Sequence, residues 1–196
     1  MPLPLKLVTP PDVYKPAEDT FLLLDNLDVR SGETVLEVGC GNGIVALTAA
    51  QHASRVIATD INPSAVEVAK RNAKLNKLEG KVEARVGPLF RPVTGERFNL
   101  IIFNPPYLPK EPKEKIGRLG LAWSGGPTGR EVTNMFTENV RMFLKEGGRV
   151  LLIQSSVSAG EKTIEHLKRK GFSVRVLGKK KLDFETLLCL EAQLKS

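Results

Sequence analysis

Short hydrophobic segments alternate along this chain with longer segments in which apolar residues recur at helical spacing. The short segments predict strands at 33–38, 55–59, 81–86, 98–103, 149–154, 172–177 and 184–192. The longer segments predict helices at 16–27, 44–51, 64–76, 132–144 and 160–170. Alternating strands and helices are typical of an α/β fold with a largely parallel sheet.

Three details of this pattern are testable against a structure. Segment 81–86 alternates apolar and polar residues, which predicts a strand near an edge of the sheet. The last two strands are expected to be joined by a basic turn at 179–183. The apolar residues of the helix at 132–144 are interpreted as core; they are Val132, Met135, Phe136, Val140, Phe143 and Leu144.

Composition indicates a globular protein of one domain, residues 1–196, with 41% hydrophobic and 26% charged residues. Residues 1–13 contain four prolines and predict an extended arm. No apolar run approaches the roughly 20 residues of a membrane span, and no signal peptide is apparent, so we expect a cytoplasmic protein. Cys40 and Cys189 are the two cysteines. Neither belongs to a CxxC pair, so structural zinc and disulfides are not expected.

The segment Asn104-Pro105-Pro106-Tyr107 directly follows the buried strand predicted at 98–103. Ligands of open α/β sheets bind at the carboxyl ends of the strands. Proline has no N–H, so this backbone offers carbonyl acceptors beside the Asn104 side-chain carbonyl. Two such acceptors would orient a substrate NH2 group, and Tyr107 could stack on the planar group that carries it. The alternative is a loop that proline merely stiffens.

A glycine-rich segment, Gly39-Cys40-Gly41-Asn42-Gly43, joins the first predicted strand to the next helix, where backbone N–H groups can surround a ligand. Its spacing, with Glu37 two residues before the first glycine, departs from the G-x-G-x-x-G of dinucleotide sites. It resembles motif I of class I S-adenosylmethionine-dependent methyltransferases. Asp60, at the end of the second strand, could then accept hydrogen bonds from the ribose hydroxyls. The alternative role of Asp60 is a helix N-cap.

Three features together resemble the HemK-type protein-glutamine N5-methyltransferases, in particular the compact archaeal and eukaryotic branch that acts on class 1 release factors. The resemblance covers nearly the whole chain, from about Tyr14 to the end. The features are Tyr14-x-Pro16-x-Glu18-Asp19-Thr20, Asn104-Pro105-Pro106-Tyr107 and Trp123-x-Gly125-Gly126-x-x-Gly129-Arg130. The resemblance implies a Rossmann-like, seven-stranded, mainly parallel sheet with an antiparallel last strand and helices on both faces.

The resemblance also implies the residues that bind S-adenosylmethionine. They are Tyr14 and Thr20 around the methionine end, Glu37, Gly39 and Gly41 near the amino acid and sulfonium, Asp60 at the ribose, Ile61 and Leu89 at the adenine, and Asn104 facing both cofactor and substrate. Relatives usually carry an acidic residue in place of Pro88 to accept from the adenine amino group. Adenine contact would then come from a backbone group or water.

By the same resemblance, the substrate is the glutamine of the release factor's Gly-Gly-Gln loop, and no metal takes part. The catalytic residues would be those of the tetrapeptide, Asn104, Pro105, Pro106 and Tyr107. A primary amide nitrogen is a poor nucleophile, which suits a site that works by orientation. The implied partner is a small zinc-ribbon activator that pairs with the third strand, at 82–86, and covers apolar surface.

The charge of +7 is concentrated in two basic segments, near 110–118 and 168–181. A basic rim beside a site favours nucleic acid or an acidic partner, although solvated lysines kept for solubility explain it as well. The alternative activities are therefore methylation of an amino group of a nucleic-acid base, and lysine methylation of other proteins. A scaffold that binds the cofactor without chemistry is a third alternative.

Overall fold

The computed structural model describes residues 4–110, 117 and 119–194. The helices are α1 (Glu18–Asp25), α2 (Ile44–Ala50), α3 (Pro63–Leu75), α4 (Glu131–Asn139) and α5 (Gly160–Arg169). The strands are β1 (Thr34–Val38), β2 (Arg55–Asp60), β3 (Val82–Val86), β4 (Phe98–Phe103), β5 (Leu144–Ser155), β6 (Phe172–Lys181) and β7 (Thr186–Leu194).

The strands form one seven-stranded sheet in the order β3-β2-β1-β4-β5-β7-β6. Strands β1 to β5 pair in parallel, whereas β7 runs antiparallel to both β5 and β6. The expected mainly parallel sheet with an antiparallel last strand is confirmed, as is the position of β3 at an edge. The chain moves outward from β1 to β3 and then returns to β4 on the other side of β1. This reversal creates a crevice beyond the carboxyl ends of β1 and β4.

Helices cover both faces of the sheet, because alternate strand residues point to opposite sides. Val35 and Leu100 pack with residues of α1, α2 and α3 in one buried cluster. Leu36 and Ile101 pack with residues of α4 and α5 in a second buried cluster. Both faces are apolar, which explains why these strands are continuous hydrophobic segments in the sequence.

Two predicted boundaries are wrong. The helix predicted at 132–144 ends at Asn139 and continues as a 3-10 turn, Val140–Phe143, before β5 begins at Leu144. The basic turn expected at 179–183 is largely strand, because Lys179, Lys180 and Lys181 pair with Leu188, Leu187 and Thr186 of β7. Strand β6 is an edge strand, where exposed lysines are well tolerated, so their charge did not signal a turn.

The segment before α1 lies along α3 and is held there by asparagine side chains. Val8 and Asn72 exchange two hydrogen bonds of 2.9 Å between backbone and side-chain amide. Asn72 also donates to the backbone oxygen of Asn42 at 2.9 Å. One buried side chain therefore joins this segment to the glycine-rich segment. Within the described ranges, none of the helices combines the length and the apolar character that crossing a membrane requires.

Candidate active site

A cleft of about 590 Å³ opens at the crevice beyond β1 and β4. Most of the residues singled out in the sequence line it: Tyr14, Thr20, Glu37, Gly39, Gly41, Asp60, Ile61, Leu89, Asn104 and Pro106. Pro105 is buried beside it, and Tyr107 packs against the first buried cluster rather than facing the cleft. The volume is in the range of small-molecule sites.

The glycine-rich segment lies against the end of β4, and its first glycine adopts a left-handed conformation there. Gly39 has φ +69°, and a Cβ there would lie 3.5 Å from the Phe103 ring and 4.0 Å from the Asn104 backbone oxygen. The register of β1 on β4, with Val38 opposite Phe103, produces this approach. Two segments that are 65 residues apart in sequence, from Gly39 to Asn104, thus form adjoining walls of one cleft.

Two carboxyl groups line the cleft, that of the buried Glu37 and that of the partly buried Asp60. Glu37 accepts a hydrogen bond of 2.8 Å from the Ala46 N–H in the first turn of α2. Asp60 accepts from the Gly41 N–H at 3.0 Å and from the Asn62 N–H at 2.8 Å. Burial raises the pKa of both carboxyl groups, and the neighbouring Asp60 raises the pKa of Glu37 further. The N-cap of α3 is Asn62, so Asp60 is not the cap residue.

Aliphatic side chains also line the cleft. Ile61 follows Asp60 directly and is about half exposed, at 51%. Leu89 lines the cleft in a left-handed conformation, with φ +45°. Pro88 is a further lining residue, and its side chain offers neither a hydrogen-bond donor nor an acceptor. These side chains can pack against a flat ring of a ligand.

Asn104 provides an unsatisfied acceptor at the cleft. Its side-chain oxygen Oδ1 is buried, yet it has no hydrogen-bond partner among the residues that the structure describes. Buried polar atoms in folded proteins are nearly always paired, and an unpaired one costs about 1–3 kcal/mol. Asn104 also lines the cleft, so this acceptor is a candidate partner for a donor that a ligand brings.

Asp19 joins the two tyrosines of the site, and sequence reasoning missed it as a site residue. The Tyr14 hydroxyl donates to its carboxylate at 3.0 and 3.1 Å, and the Thr20 N–H donates to it at 2.6 Å. Burial, followed by the charge of Asp19, raises the pKa of Tyr14 and Tyr107 far above the usual value, so both phenols keep their protons. The acidic first turn of a helix was recognised in the sequence, but its contact with distant aromatic residues was not.

The glycine-rich turn at 123–130 braces the tetrapeptide through backbone contacts. Leu108 N–H donates to the Trp123 oxygen at 2.8 Å, and Gly125 N–H donates to the Leu108 oxygen at 2.9 Å. A Cβ on Gly125 would come within 2.6 Å of the Pro106 oxygen, and one on Gly129 would overlap the Tyr107 oxygen. The glycines are therefore required for the turn to lie against the tetrapeptide.

Part of the cleft wall comes from α4 and the following 3-10 turn. Val132, Met135 and Phe143 line the cleft, together with Asn139 and Met142. The expectation that the apolar residues of this helix are all core is therefore wrong. Phe136, Val140 and Leu144 are buried, but Met135 is 52% exposed. Helical periodicity identifies an apolar face without showing whether protein or a cleft lies against it.

The structure describes only part of the basic residues noted in the sequence, and those of the second segment do not lie together. Residues 111–116 and 118 of the first lie outside the described residues. The second is divided, because Lys168 and Lys170 precede β6 whereas Lys179–Lys181 end it. Lys170 pairs with Glu138, and Arg175 with Glu191 at 2.6 Å. Since β6 and β4 run in the same direction, the lysines at 179–181 are the part of the second segment that reaches the edge of the sheet where the cleft lies.

Comparisons with known proteins agree with this geometry. Residues 5–118 match the family model described as methyltransferase small domain. A Methanocaldococcus jannaschii protein, provisionally named a protein N5-glutamine methyltransferase, is 42% identical over 190 residues, covering 96% of this chain and 95% of the relative. The Homo sapiens methyltransferase HEMK2 is 34% identical over 193 residues, covering 92% of this chain and 89% of the relative.

A solved structure is also similar. It is the E. cuniculi Mtq2-Trm112 complex, described as responsible for methylation of the eRF1 translation termination factor. One of its chains superimposes with a TM-score of 0.74 at 25% identity, covering 94% of this chain and 99% of that chain. The resemblance indicated by the sequence motifs is confirmed: this chain belongs to the methyltransferase small domain family, alongside relatives named as protein N5-glutamine methyltransferases.

Proposed function

We propose that this chain, as a single domain spanning 1–196, is a cytoplasmic S-adenosylmethionine-dependent enzyme. It methylates N5 of the glutamine in the Gly-Gly-Gln loop of a class 1 release factor. The observation that carries the proposal is the open Asn104 Oδ1 acceptor at a cleft shared with the glycine-rich segment. The relatives and the Mtq2 structure support the choice of substrate.

The residues of the cleft fit S-adenosylmethionine. Asp60 would accept from the ribose hydroxyls, because each of its oxygens retains a lone pair beyond its backbone contact. Ile61 and Leu89 would flank the adenine. Gly39, Gly41 and Glu37 would lie by the amino acid and sulfonium, with Tyr14 and Thr20 enclosing that end. Pro88 supplies no acceptor for the adenine amino group, so that contact would come from backbone or water.

Asn104 and Pro105 would orient the substrate amide by accepting its two N–H hydrogens, one on Oδ1 and one on the Pro105 backbone oxygen. When bound, S-adenosylmethionine supplies a methyl group on a positively charged sulfur. Transfer to the amide nitrogen would form a carbon–nitrogen bond and break the carbon–sulfur bond, whose electron pair would stay on S-adenosylhomocysteine. One amide proton would pass to solvent, and the Asn104 and Pro105 acceptors would polarise its N–H bond beforehand. Pro106 shapes the cleft wall. Tyr107 packs against the first buried cluster beside Asp19, and its role in this proposal is to hold the tetrapeptide in position.

Labelled methyl transfer tests this proposal. The purified protein is incubated with tritiated S-adenosylmethionine and, separately, release factor, total RNA, DNA, or a factor whose Gly-Gly-Gln glutamine is changed to asparagine. We expect label in the unmodified factor alone. Label in RNA or DNA instead would contradict the proposal and assign the open acceptor to a base amino group. Label on lysines of the factor would contradict the choice of atom.

We propose further that the chain forms a heterodimer with a small zinc-ribbon activator bound along β3. Strand β3 is at an edge, so the backbone groups on its outer side are not used by the sheet. Its last residue, Val86, is 52% exposed. We expect co-expression with such a partner to raise the yield of soluble protein and its melting temperature. A soluble isolated chain that is fully active and does not bind the partner would contradict this.

A further inference from the structure

The turn between β6 and β7, residues 182–185, lies at the same edge of the sheet as the tetrapeptide. Phe103, the last residue of β4, pairs with Leu152 of β5. Strand β5 then continues to Ser155, which pairs with Leu187 at the start of β7. The turn before β7 is therefore level with the tetrapeptide. Only β5 separates β7 from β4, so the lateral distance is two strand spacings, about 10 Å.

This turn is held in place by several hydrogen bonds. Leu182 N–H donates to the Glu185 oxygen at 2.8 Å, which closes the turn. The Glu185 carboxylate accepts a hydrogen bond from the Ser155 hydroxyl, and Thr186 N–H donates to the Ser156 hydroxyl at 2.9 Å. Leu182 packs against the first buried cluster. The conformation of the turn is thus fixed on both sides of residue 184.

Phe184 points away from the protein on this fixed turn, with 95% of its surface exposed. The other exposed large hydrophobic side chains of the described residues range from 36% to 58%. Burying a phenylalanine is worth about 1.5–3 kcal/mol, which this fold does not gain. Isolated exposed apolar residues are ordinary on protein surfaces. Phe184 differs from these because it is almost fully exposed, and it stands on a fixed turn at the edge of the sheet where the tetrapeptide lies.

The surroundings of Phe184 add charge and a second aromatic side chain. Lys179, Lys180 and Lys181 end β6 directly before the turn, and Lys180 pairs with Glu18 of α1. Phe21, three residues further along α1, is 46% exposed. We call Phe21, Phe184 and the three lysines the rim surface. It is basic and aromatic, and its lysines and Phe184 lie at the edge of the sheet where the cleft opens.

We propose that the rim surface binds the protein substrate outside the loop that carries the glutamine, with Phe184 as the apolar anchor. This inference rests on the proposed function. A glutamine side chain that reaches Asn104 leaves its own backbone at the mouth of the cleft, so the rest of a folded substrate must pass over the rim. Phe184 is placed to enter an apolar depression on that substrate, and the lysines favour acidic residues around it.

The test measures binding of the release factor to the protein in the presence of S-adenosylhomocysteine. For Phe184→Ala we expect the Kd for the factor to rise about tenfold or more. The Kd for S-adenosylhomocysteine and the melting temperature should stay unchanged, since the side chain makes almost no contact. The matched control is Leu75→Ala, which removes a side chain of 45% exposure at the end of α3, near the other edge of the sheet. It should bind the factor as the wild type does.

Two results would overturn the inference. One is a Phe184→Ala protein that binds the factor as tightly as the wild type. The other is a variant that keeps this affinity but loses binding to single-stranded RNA, which would assign the rim surface to base stacking. Failure of the proposed function is distinguishable, because it appears in the wild type as absence of methyl transfer to the factor.

Discussion

At the residue scale, the chemistry of the site depends on which polar groups can still form a hydrogen bond to a ligand. The Asn104 side-chain oxygen is a buried acceptor without a partner among the described residues. The carboxylates of Glu37 and Asp60, in contrast, already accept hydrogen bonds from backbone N–H groups. The sequence predicted these positions because the motifs combine residue type with placement at strand ends. It did not predict Asp19 as the residue that contacts Tyr14, because that contact depends on how α1 docks.

Replacing Asn104 shows whether this residue orients the substrate or binds the cofactor. For Asn104→Ala we expect turnover to fall by about 10²-fold or more, the size seen when one oriented polar contact is removed from an active site. The Kd for S-adenosylhomocysteine should change little. The conservative variant Asn104→Asp keeps an acceptor at the same place and should retain more activity. Steady-state kinetics and calorimetry provide both quantities, and an Asn104→Ala enzyme with wild-type turnover would contradict this role.

Cofactor affinity should depend on pH through Asp60. Burial raises the pKa of this carboxyl, so it takes up a proton at higher pH than an exposed aspartate does. Protonation removes an acceptor for the ribose hydroxyls. We therefore expect the Kd for S-adenosylhomocysteine to rise as pH falls, and to begin rising at a higher pH than the titration of an exposed aspartate would give. The dependence should weaken in Asp60→Asn and persist in Glu37→Gln. If the Kd no longer depended on pH in Glu37→Gln but still did in Asp60→Asn, the titrating group would be Glu37 instead.

At the element scale, hydrophobic pattern predicted which elements exist better than where they end. The buried strands β1, β2 and β4 appear as continuous apolar segments because both of their faces are covered. The predicted end of α4 was wrong because Val140, Phe143 and Leu144 keep the helical spacing of apolar residues, although they belong to a 3-10 turn and to the start of β5. The lysines of β6 were assigned to a turn because backbone pairing with β7 is invisible in a single sequence.

The glycine-rich turn at 123–130 should be essential to activity although none of its glycines carries chemistry. Gly129 has φ +74°, and a Cβ there would overlap the Tyr107 oxygen. For Gly129→Ala we expect a severe loss of turnover because the tetrapeptide must shift. Gly147→Ala is the matched control, since φ is +67° there but no atom lies within 4 Å of the added Cβ. It should cost about 1 kcal/mol of stability and leave turnover unchanged. Equal activity of both variants would show that the turn does not position the tetrapeptide.

At the scale of the whole molecule, a buried ion pair joins the start of β1 to β5 across the sheet. Arg149 donates to the Glu33 carboxylate at 2.5 and 3.0 Å, and also to the Asp28 backbone oxygen at 2.5 Å. Burial alone would raise the pKa of Glu33. The hydrogen bonds from Arg149 and from the Arg30 N–H, with the nearby positive charges, lower it overall. The sequence did not predict that Arg149 and Glu33 form a buried pair, because the two residues are 116 positions apart.

Breaking this pair should destabilise the fold without touching the cleft. For Glu33→Gln we expect a loss of about 3 kcal/mol in the free energy of unfolding, because the buried Arg149 keeps only the more distant carboxylate of Glu191, at 4.0 Å. Since the pKa of Glu33 is lowered, its stabilisation is present above the ordinary value of 4.5 and is lost as pH falls through the lower one. Glu67→Gln, which removes an exposed pair with Lys70, should cost less than about 1 kcal/mol. Urea titrations compare the two, and equal losses would contradict a structural role for the buried pair.

The central claim is that the open acceptor at Asn104 orients a release-factor glutamine for methylation. Peptide mass spectrometry of the factor, after incubation with the wild-type protein and S-adenosylmethionine, tests it most directly. We predict one added methyl group, on the side-chain nitrogen of the Gly-Gly-Gln glutamine, and none with Asn104→Ala. A methyl group on any other residue of the factor, or an unmodified factor beside labelled nucleic acid, would contradict the account.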